Sequence, residues 1–516
     1  MKRRLINGLA VLAVVAGCGP AAKKLVSPGA AAMPAKPILV FNEDDSHMLR
    51  KMPAAKYAEY FDSVCRGAVT HFFMCPNAMR SNIPSQSLEP VWKALEEPWK
   101  KPGWAPTAKW LNDNGIDPYA IWSGRAREKG VSPWLTMRMN DIHSPTDPSF
   151  CSLSTTWRTM PETRRVPGYT GGDWHKYAFD YAHEIVRKEH IGYIRELLEK
   201  YDVDGLELDW MRFPYHLAPG REKEDAHYLT EVVREARKAA DKASKRLGHP
   251  VKIGCRVTTA YGAALALGTD PVLWAKEGLI DWLVVCNFFG TVDFNMDYAD
   301  WEKRIHAVNP AVTIIPGLDS GVVKDYVGSG RQLLTLEEYR GWLDAQYSQG
   351  SPGVYLFNPF HFAETSMVWN AMLDGGFAPD AVAAAKRAYP VSHRECAPEE
   401  LMDKQLPKRL TENFAFAIRT GTPPEAGNVE LLLAFDGIFG DEARKTVRLN
   451  GVAPSSIADA PLHPWLDPKT KAPAAIRLAF PFSALAKGVN CVTLGPAKTA
   501  KGFPVSLVAC ELEVTP

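Results

Sequence analysis

The string Tyr201–Pro214 (Tyr-Asp-Val-Asp-Gly-Leu-Glu-Leu-Asp-Trp-Met-Arg-Phe-Pro) sets two carboxylates, Glu207 and Asp209, two residues apart. In a β-strand, period two puts Glu207, Asp209 and Met211 on one face and Leu206 and Leu208 on the other. If the leucines pack beneath helices, both carboxylates point to the opposite, interior side. Asp209 lies nearer the C-terminal end and is the stronger candidate for proton transfer or nucleophilic attack. Glu207, one layer deeper, is expected to orient Asp209 or to hold an arginine such as Arg138 or Arg256. The competing reading of both is a buried carboxylate–arginine network with a purely structural role.

Other polar residues also follow short apolar runs. As partners for Asp209, Asp141 and Asp319 rank first as catalytic candidates, followed by Glu43 and Asp44. Each has a competing reading as a helix cap or loop brace. Glu43, Asp44, Arg138, Asn140, His143, Glu207, Arg212, Asn287, Asn358 and His361 are expected to bind substrate, through hydroxyl contacts or by polarising a carboxylate. A lone histidine is more often structural, which places His361 below His143. No metal or other cofactor is required.

The elements that must position these residues alternate between apolar runs and amphipathic stretches from Pro37 onward, the pattern of parallel strands joined by helices. Eight strands are expected, at Ile38–Phe41, Thr70–Met74, Pro133–Arg138, Gly205–Asp209, Lys252–Val257, Trp282–Cys286, Val312–Pro316 and Gly353–Phe357. Helices are expected at Val186–Tyr201, with Ile191, Ile194, Leu197 and Leu198 on one stripe, and at Tyr228–Leu247. Eight such units fit an α/β fold, a (β/α)8 TIM barrel over residues 37–389. A doubly wound sheet is disfavoured because no Gly-rich phosphate loop follows the first strand. The polar residues then collect at the C-terminal ends of the strands, where barrel enzymes build their sites. Long loops after strands two and three carry Trp92, Trp99, Trp104, Trp110, Trp122, Trp157, Tyr169 and Trp174, rings suited either to sugar faces or to core filling.

The Tyr201–Pro214 string resembles the strand-four motif of bacterial family-10-like glycosyl hydrolases, a DG-hydrophobic-x-hydrophobic-D core followed by an aromatic-Pro element. Met137–His143, Phe179–Arg187 and Tyr355–Asn358 are similar to segments of barrel hydrolases of this type. The resemblance implies an O-glycosyl hydrolase acting on a carbohydrate, with Asp209 as its best-matched catalytic residue. Asp204–Trp210 is also similar to the chitinase strand-four motif, which continues with a catalytic glutamate. Met211 stands there instead, and a thioether cannot protonate a glycosidic oxygen. Glycosidic cleavage takes two carboxyl groups, about 5 to 5.5 Å apart for retention and about 6.5 to 9.5 Å apart for inversion.

Residues 390–406 read as a connector. Residues 407–516 hold short strands at Phe414–Ile418, Val429–Phe435, Thr446–Leu449, Ala475–Phe480, Asn490–Leu494 and Val505–Leu512, separated by Gly, Pro and Asn turns, an all-β sandwich signature. The chain's 516 residues carry 60 Lys+Arg against 59 Asp+Glu, a formal charge of +1 with no basic run, which argues against nucleic-acid partners. Lys2–Arg4, the apolar run Leu9–Ala16 and Cys18 resemble a bacterial lipoprotein signal. That resemblance implies a signal peptide over residues 1–17, lipidation of Cys18, a tether over 18–36 and export to the cell envelope. Gly19, not an acidic residue, favours the outer membrane. No CxxC pair has zinc spacing; Cys75, Cys255 and Cys286 are expected as buried thiols, and Cys491 with Cys510 is a candidate disulfide. Two rival functions stand beside hydrolysis. One is a catalytically silent glycan-binding lipoprotein. The other is a metal-dependent hydrolase using Asp44, Asp45, His47, Asp141 and His143.

Overall fold

The computed structural model describes residues 36–44, 50–96, 102–287, 292–319, 321–323, 331–357, 359, 370–391, 406–437, 439–461, 474–498 and 502–516. Eight parallel strands close into a barrel: Ile38–Glu43, His71–Met74, Ser132–Arg138, Gly205–Asp209, Lys252–Val257, Trp282–Cys286, Thr313–Asp319 and Gly353–Phe357. The first strand pairs with the second on one side and the eighth on the other. The expected (β/α)8 barrel is therefore the observed one, and four of the eight strands match the sequence expectation residue for residue.

Alternation along each strand divides the side chains between two cores. Outward residues such as Leu135, Leu206, Leu208, Ile253, Leu283 and Val285 pack beneath the helices. Inward ones build a smaller aromatic floor of Val40, Phe73, Trp134, Trp282, Ile315, Tyr355 and Phe357. Phe73 stacks on Trp134 at 4.8 Å, and Trp134 meets Trp282 at 5.0 Å. Such bulk fits because the neighbouring strands place glycines beside it. A Cβ added at Gly205 would stand 2.5 Å from the Trp134 indole.

The helix Glu184–Lys200 buries the expected stripe of Ile191, Ile194, Leu197 and Leu198. The next helix, Glu222–Leu247, begins six residues before the expected Tyr228, because its first turn is polar and lacks apolar periodicity. That turn instead carries Glu222, Glu224 and Asp225 against the positive end of the helix dipole, with Lys245 and Arg246 at the other end and Gly248 closing it at φ 78°.

The C-terminal region forms two antiparallel sheets around their own core. One runs Arg387–Pro390, Ser506–Thr515, Asn428–Phe435, Ala474–Phe480, Ser456–Ala460, with Lys408–Arg409 also pairing with Ser506–Thr515. The other runs Phe414–Thr420, Gly488–Leu494, Arg448–Leu449. Arg387–Pro390 thus joins this sheet although most of it lies within the stretch read as barrel. Its Arg387 and Tyr389 reach back to Asp344 on the barrel helix Leu336–Tyr347 at 2.8 and 2.5 Å. Cys75, Cys255 and Cys286 are buried free thiols as expected. The Cys491–Cys510 pairing is corrected: Cys510 is a buried free thiol inside its strand, whereas Cys491 is disulfide-bonded.

Gly205→Ala forces a methyl against a rigid, stacked indole. It should lower unfolding free energy by about 1 to 3 kcal/mol in chemical denaturation, whereas Gly172→Ala, with nothing near its Cβ, should change it far less.

Candidate active site

Strand register assembles the charged centre. It sets Arg138, Asp209 and Arg256 side by side on strands three, four and five, with Thr136, Glu207 and Gly254 one layer below. Equal parity sends each of these rows into the barrel.

Asp209 is 1% exposed and its two oxygens are treated unequally. Oδ1 accepts hydrogen bonds from Arg256 Nε at 2.8 Å and from the main-chain N–H groups of Met211 and Arg212 at 2.9 Å each. Among the described residues, Oδ2 accepts only from Arg256 Nη2, at 2.9 Å. The Arg256 guanidinium in turn lies 3.9 Å from the centroid of the Phe357 ring. A buried charge is tolerable only when paired and hydrogen-bonded in this way.

Beside this pair, Arg138 donates to Asp141 Oδ2 at 2.8 Å and also pairs with Asp44. The other Asp141 oxygen meets His143 Nδ1 at 2.5 Å, and His143 Nε2 meets Arg212 Nη2 at 3.0 Å. A guanidinium can only donate, so Nε2 accepts and Nδ1–H points to Asp141. The ring is therefore neutral and fixed in one tautomer. Burial, helped by the Arg212 and Arg138 charges, lowers its pKa against the pull of Asp141. Burial pushes the Asp141 carboxyl up, but His143, Arg138 and Arg212 outweigh it and hold it well below the usual range. Asp141 is thus ionised, a brace for His143 with no proton to give near neutrality. The His143 side chain remains 33% exposed, the opening of this cluster to solvent.

Glu207 departs from its expected partners. Arg256 is taken by Asp209 and Arg138 by the aspartates, because register aligns those guanidiniums with the upper layer. Glu207 Oε1 accepts instead from Thr136 Oγ1 at 2.6 Å and from the Tyr355 hydroxyl at 2.9 Å, and Asn42 Nδ2 donates to that hydroxyl at 2.7 Å. Its Oε2 is buried and without a hydrogen-bond partner among the described residues. Burial first, then the Asp209 charge, raises the Glu207 carboxyl to about 7.

Asn140 sits at the strand-three end, but its amide is committed to main chain. Nδ2 donates to the carbonyls of Phe179 and Tyr215, and Oδ1 accepts from Phe179 N–H. Glu43 accepts from the Tyr60 hydroxyl, and Asn287 accepts from Thr259. The Asp319 main chain ends strand seven opposite Phe357; its side chain, and Asp45, His47, Asn358, His361 and Cys18, lie outside the described residues. The register thus brings Asp44, Arg138, Asp141, His143, Glu207, Asp209 and Arg212 together. Of the metal-site set, Asp141 and His143 already bond each other and two arginines, and no three described His, Cys, Asp or Glu residues are grouped to hold an ion. Sequence reasoning missed Asp209's hold on Arg256 and the roles of Thr136, Tyr355 and Phe213. Inward parity on strands three and eight was the available signal for the first two of those roles.

Two backbone outliers flank His143. Ser144 has φ 50° and Phe213 φ 61°, which for a bulky residue is strained. The Phe213 ring lies edge-on to His143 at 4.9 Å. Of the loop tryptophans, Trp122 and Trp157 are core, while Trp92, Trp104, Trp110, Trp174 and Tyr169 are half-buried. Trp99 lies outside the described residues.

No family model matches the chain, and no curated protein matches it. Solved structures resemble it at low identity. The PgaB (BpsB) glycoside hydrolase domain from Bordetella bronchiseptica is 13% identical with a TM-score of 0.41, over 66% of this chain and 98% of that one. A GH27 β-L-arabinopyranosidase from Geobacillus stearothermophilus is 13% identical with a TM-score of 0.38, over 90% and 99%. A cycloisomaltooligosaccharide glucanotransferase from Paenibacillus sp. is 10% identical with a TM-score of 0.36, and this chain spans 57% of its length.

A carboxyl with a raised pKa contributes stability that is complete below its unfolded value and is lost as pH rises through its folded value. Glu207→Gln mimics the protonated form at every pH. Wild type should therefore lose on the order of 3 kcal/mol relative to Glu207→Gln between about pH 4.5 and about pH 7. Parallel pH–stability curves for the two proteins would show that Glu207 does not titrate there.

Proposed function

We propose that this protein is an exported, lipid-anchored glycoside hydrolase that cleaves an oligo- or polysaccharide with Asp209 as its reacting carboxylate. The observation that carries this reading is the asymmetry of Asp209 at the C-terminal end of a closed parallel barrel. Three donors fix Oδ1, while Oδ2 has one described donor and retains a lone pair. Paired with Arg256, Oδ2 is the atom suited to stabilise or attack the electron-poor anomeric carbon of an oxocarbenium-like transition state. As the glycosidic C–O bond breaks, the leaving oxygen takes a proton from a second carboxyl, and water then supplies the new anomeric C–OH and returns a proton to that carboxyl. Asp141 is a poor donor because its partners keep it ionised. Glu207 lies two residues deeper on the same strand, about 6 to 7 Å below Asp209 along it. Asp319, at the rim of strand seven, is the proposed proton donor. Lys2–Arg4, Leu9–Ala16 and Cys18 support export and lipidation at Cys18, with the protein held on the cell envelope.

The test is a screen of the protein starting at Gly19 against aryl glycosides and oligosaccharides, with Asp209→Asn as control. Turnover should fall by about 10²- to 10⁴-fold in the variant, with the far-UV circular dichroism of wild type retained. Undiminished turnover would move the chemistry to another carboxylate. Sugar binding with no turnover by wild type would instead favour the glycan-binding lipoprotein.

A further inference from the structure

Next to the Asp209 site, a run of half-buried rings leads outward from His143. Phe213 touches His143 at 4.9 Å and Trp174 at 5.3 Å, Trp174 touches Tyr215 at 5.7 Å, and Tyr215 lies 5.0 Å from His175. These rings come from two segments, the turn after strand four and the short 3₁₀ helix Trp174–Tyr177.

Buried polar side chains clamp the two segments together. Arg165, 4% exposed, donates to the carbonyls of Leu217 and His175, pairs with Glu222 and lies 4.7 Å from the centroid of the Tyr215 ring. Asn140 holds the Tyr215 carbonyl and both main-chain groups of Phe179. The array is therefore preorganised, which lowers the ordering cost of binding. Phe213 keeps its ring there at φ 61°, a conformation costing on the order of 1 to 3 kcal/mol. Glycine or asparagine would occupy that turn with less strain.

We propose that Phe213, Trp174 and Tyr215 form a sugar-stacking platform beside the Asp209 site, and that the substrate is a saccharide of several units whose further sugars lie on it. The inference rests on the hydrolase reading for its substrate, but sugar binding tests it separately from turnover. Partly exposed aromatic rings offer an apolar body to the C–H faces of pyranoses, and three contiguous rings exceed what one sugar covers. The neighbouring Arg212 and His143 supply polar partners at the inner end.

The experiment uses the full-length Asp209→Asn protein and titrates mono- to hexasaccharides calorimetrically. Affinity should rise with chain length. Adding Trp174→Ala should weaken binding of the longest ligand about tenfold or more while leaving binding of the shortest nearly unchanged, and Trp174→Phe should recover most of the loss. Phe213→Gly, which removes the ring and relieves the backbone, should weaken binding similarly while lowering the melting temperature by less than an ordinary ring truncation. Equal affinity of the Trp174→Ala protein and its parent, or no binding by any saccharide, would overturn the platform. Ring-dependent binding with no hydrolysis of any ligand by wild type would uphold the platform and overturn the hydrolase reading alone.

Discussion

The ion pair between Asp209 and Arg256 is the constraint around which the barrel mouth is organised. Two charges at 1% exposure are stable only if nearly every lone pair and proton has a partner. The pair meets most of that demand with the Nε–Nη2 edge of the guanidinium, two main-chain N–H groups and an aromatic ring under the cation, while Arg256 Nη1 has no hydrogen-bond partner among the described residues. The rest of the cluster follows the same rule. Arg138 pairs with Asp44 and Asp141, Arg256 pairs with Asp209, and Arg212 donates to His143, which its hydrogen bonds keep neutral. Burial, then the Asp209 charge, pushes the Glu207 carboxyl up against the pull of Arg256.

Beneath this layer the barrel is apolar and aromatic. Phe73, Trp134 and Trp282 fill the lower lumen, and glycines at 205 and 254 leave room for the indole of Trp134. That floor excludes water from below, so electrostatic interactions above it act in a low dielectric. Glu207 lies at the boundary between the two zones. It is held by hydroxyls and not by an arginine, since the register gives the guanidiniums to the layer above.

Much of this was legible in the sequence because the relevant signals are local. Short apolar runs ending in polar residues gave the eight strands, and period two gave the inward face of Glu207 and Asp209. What was not legible depends on register between strands or on the path of loops. Arg256 pairs with Asp209 and not with Glu207 because Gly254, two residues earlier, falls opposite Glu207. Asn140 sits where a substrate-binding amide would, yet its amide is used to join loops that only tertiary structure brings together. Arg387–Pro390 and Ser456–Ala460 were missed because neither is an apolar run: both take their strand form from pairing with distant partners.

The turn after strand four ties the charge to the rings. Asp209 Oδ1 gathers the N–H groups of Met211 and Arg212, which bends the chain sharply just past the strand. A bend that tight places the next residue, Phe213, in the left-handed region, and Pro214 then prevents relaxation into helix. The same bend carries the Arg212 guanidinium to His143 and the Phe213 ring against it. Carboxylate orientation, histidine tautomer and aromatic placement are therefore set by one short segment, Asp209–Pro214. A change that relaxed Phe213 without disturbing Asp209 would separate the two halves of this arrangement, because the carboxylate is also anchored from strand five, whereas the ring is positioned by the turn and by Trp174.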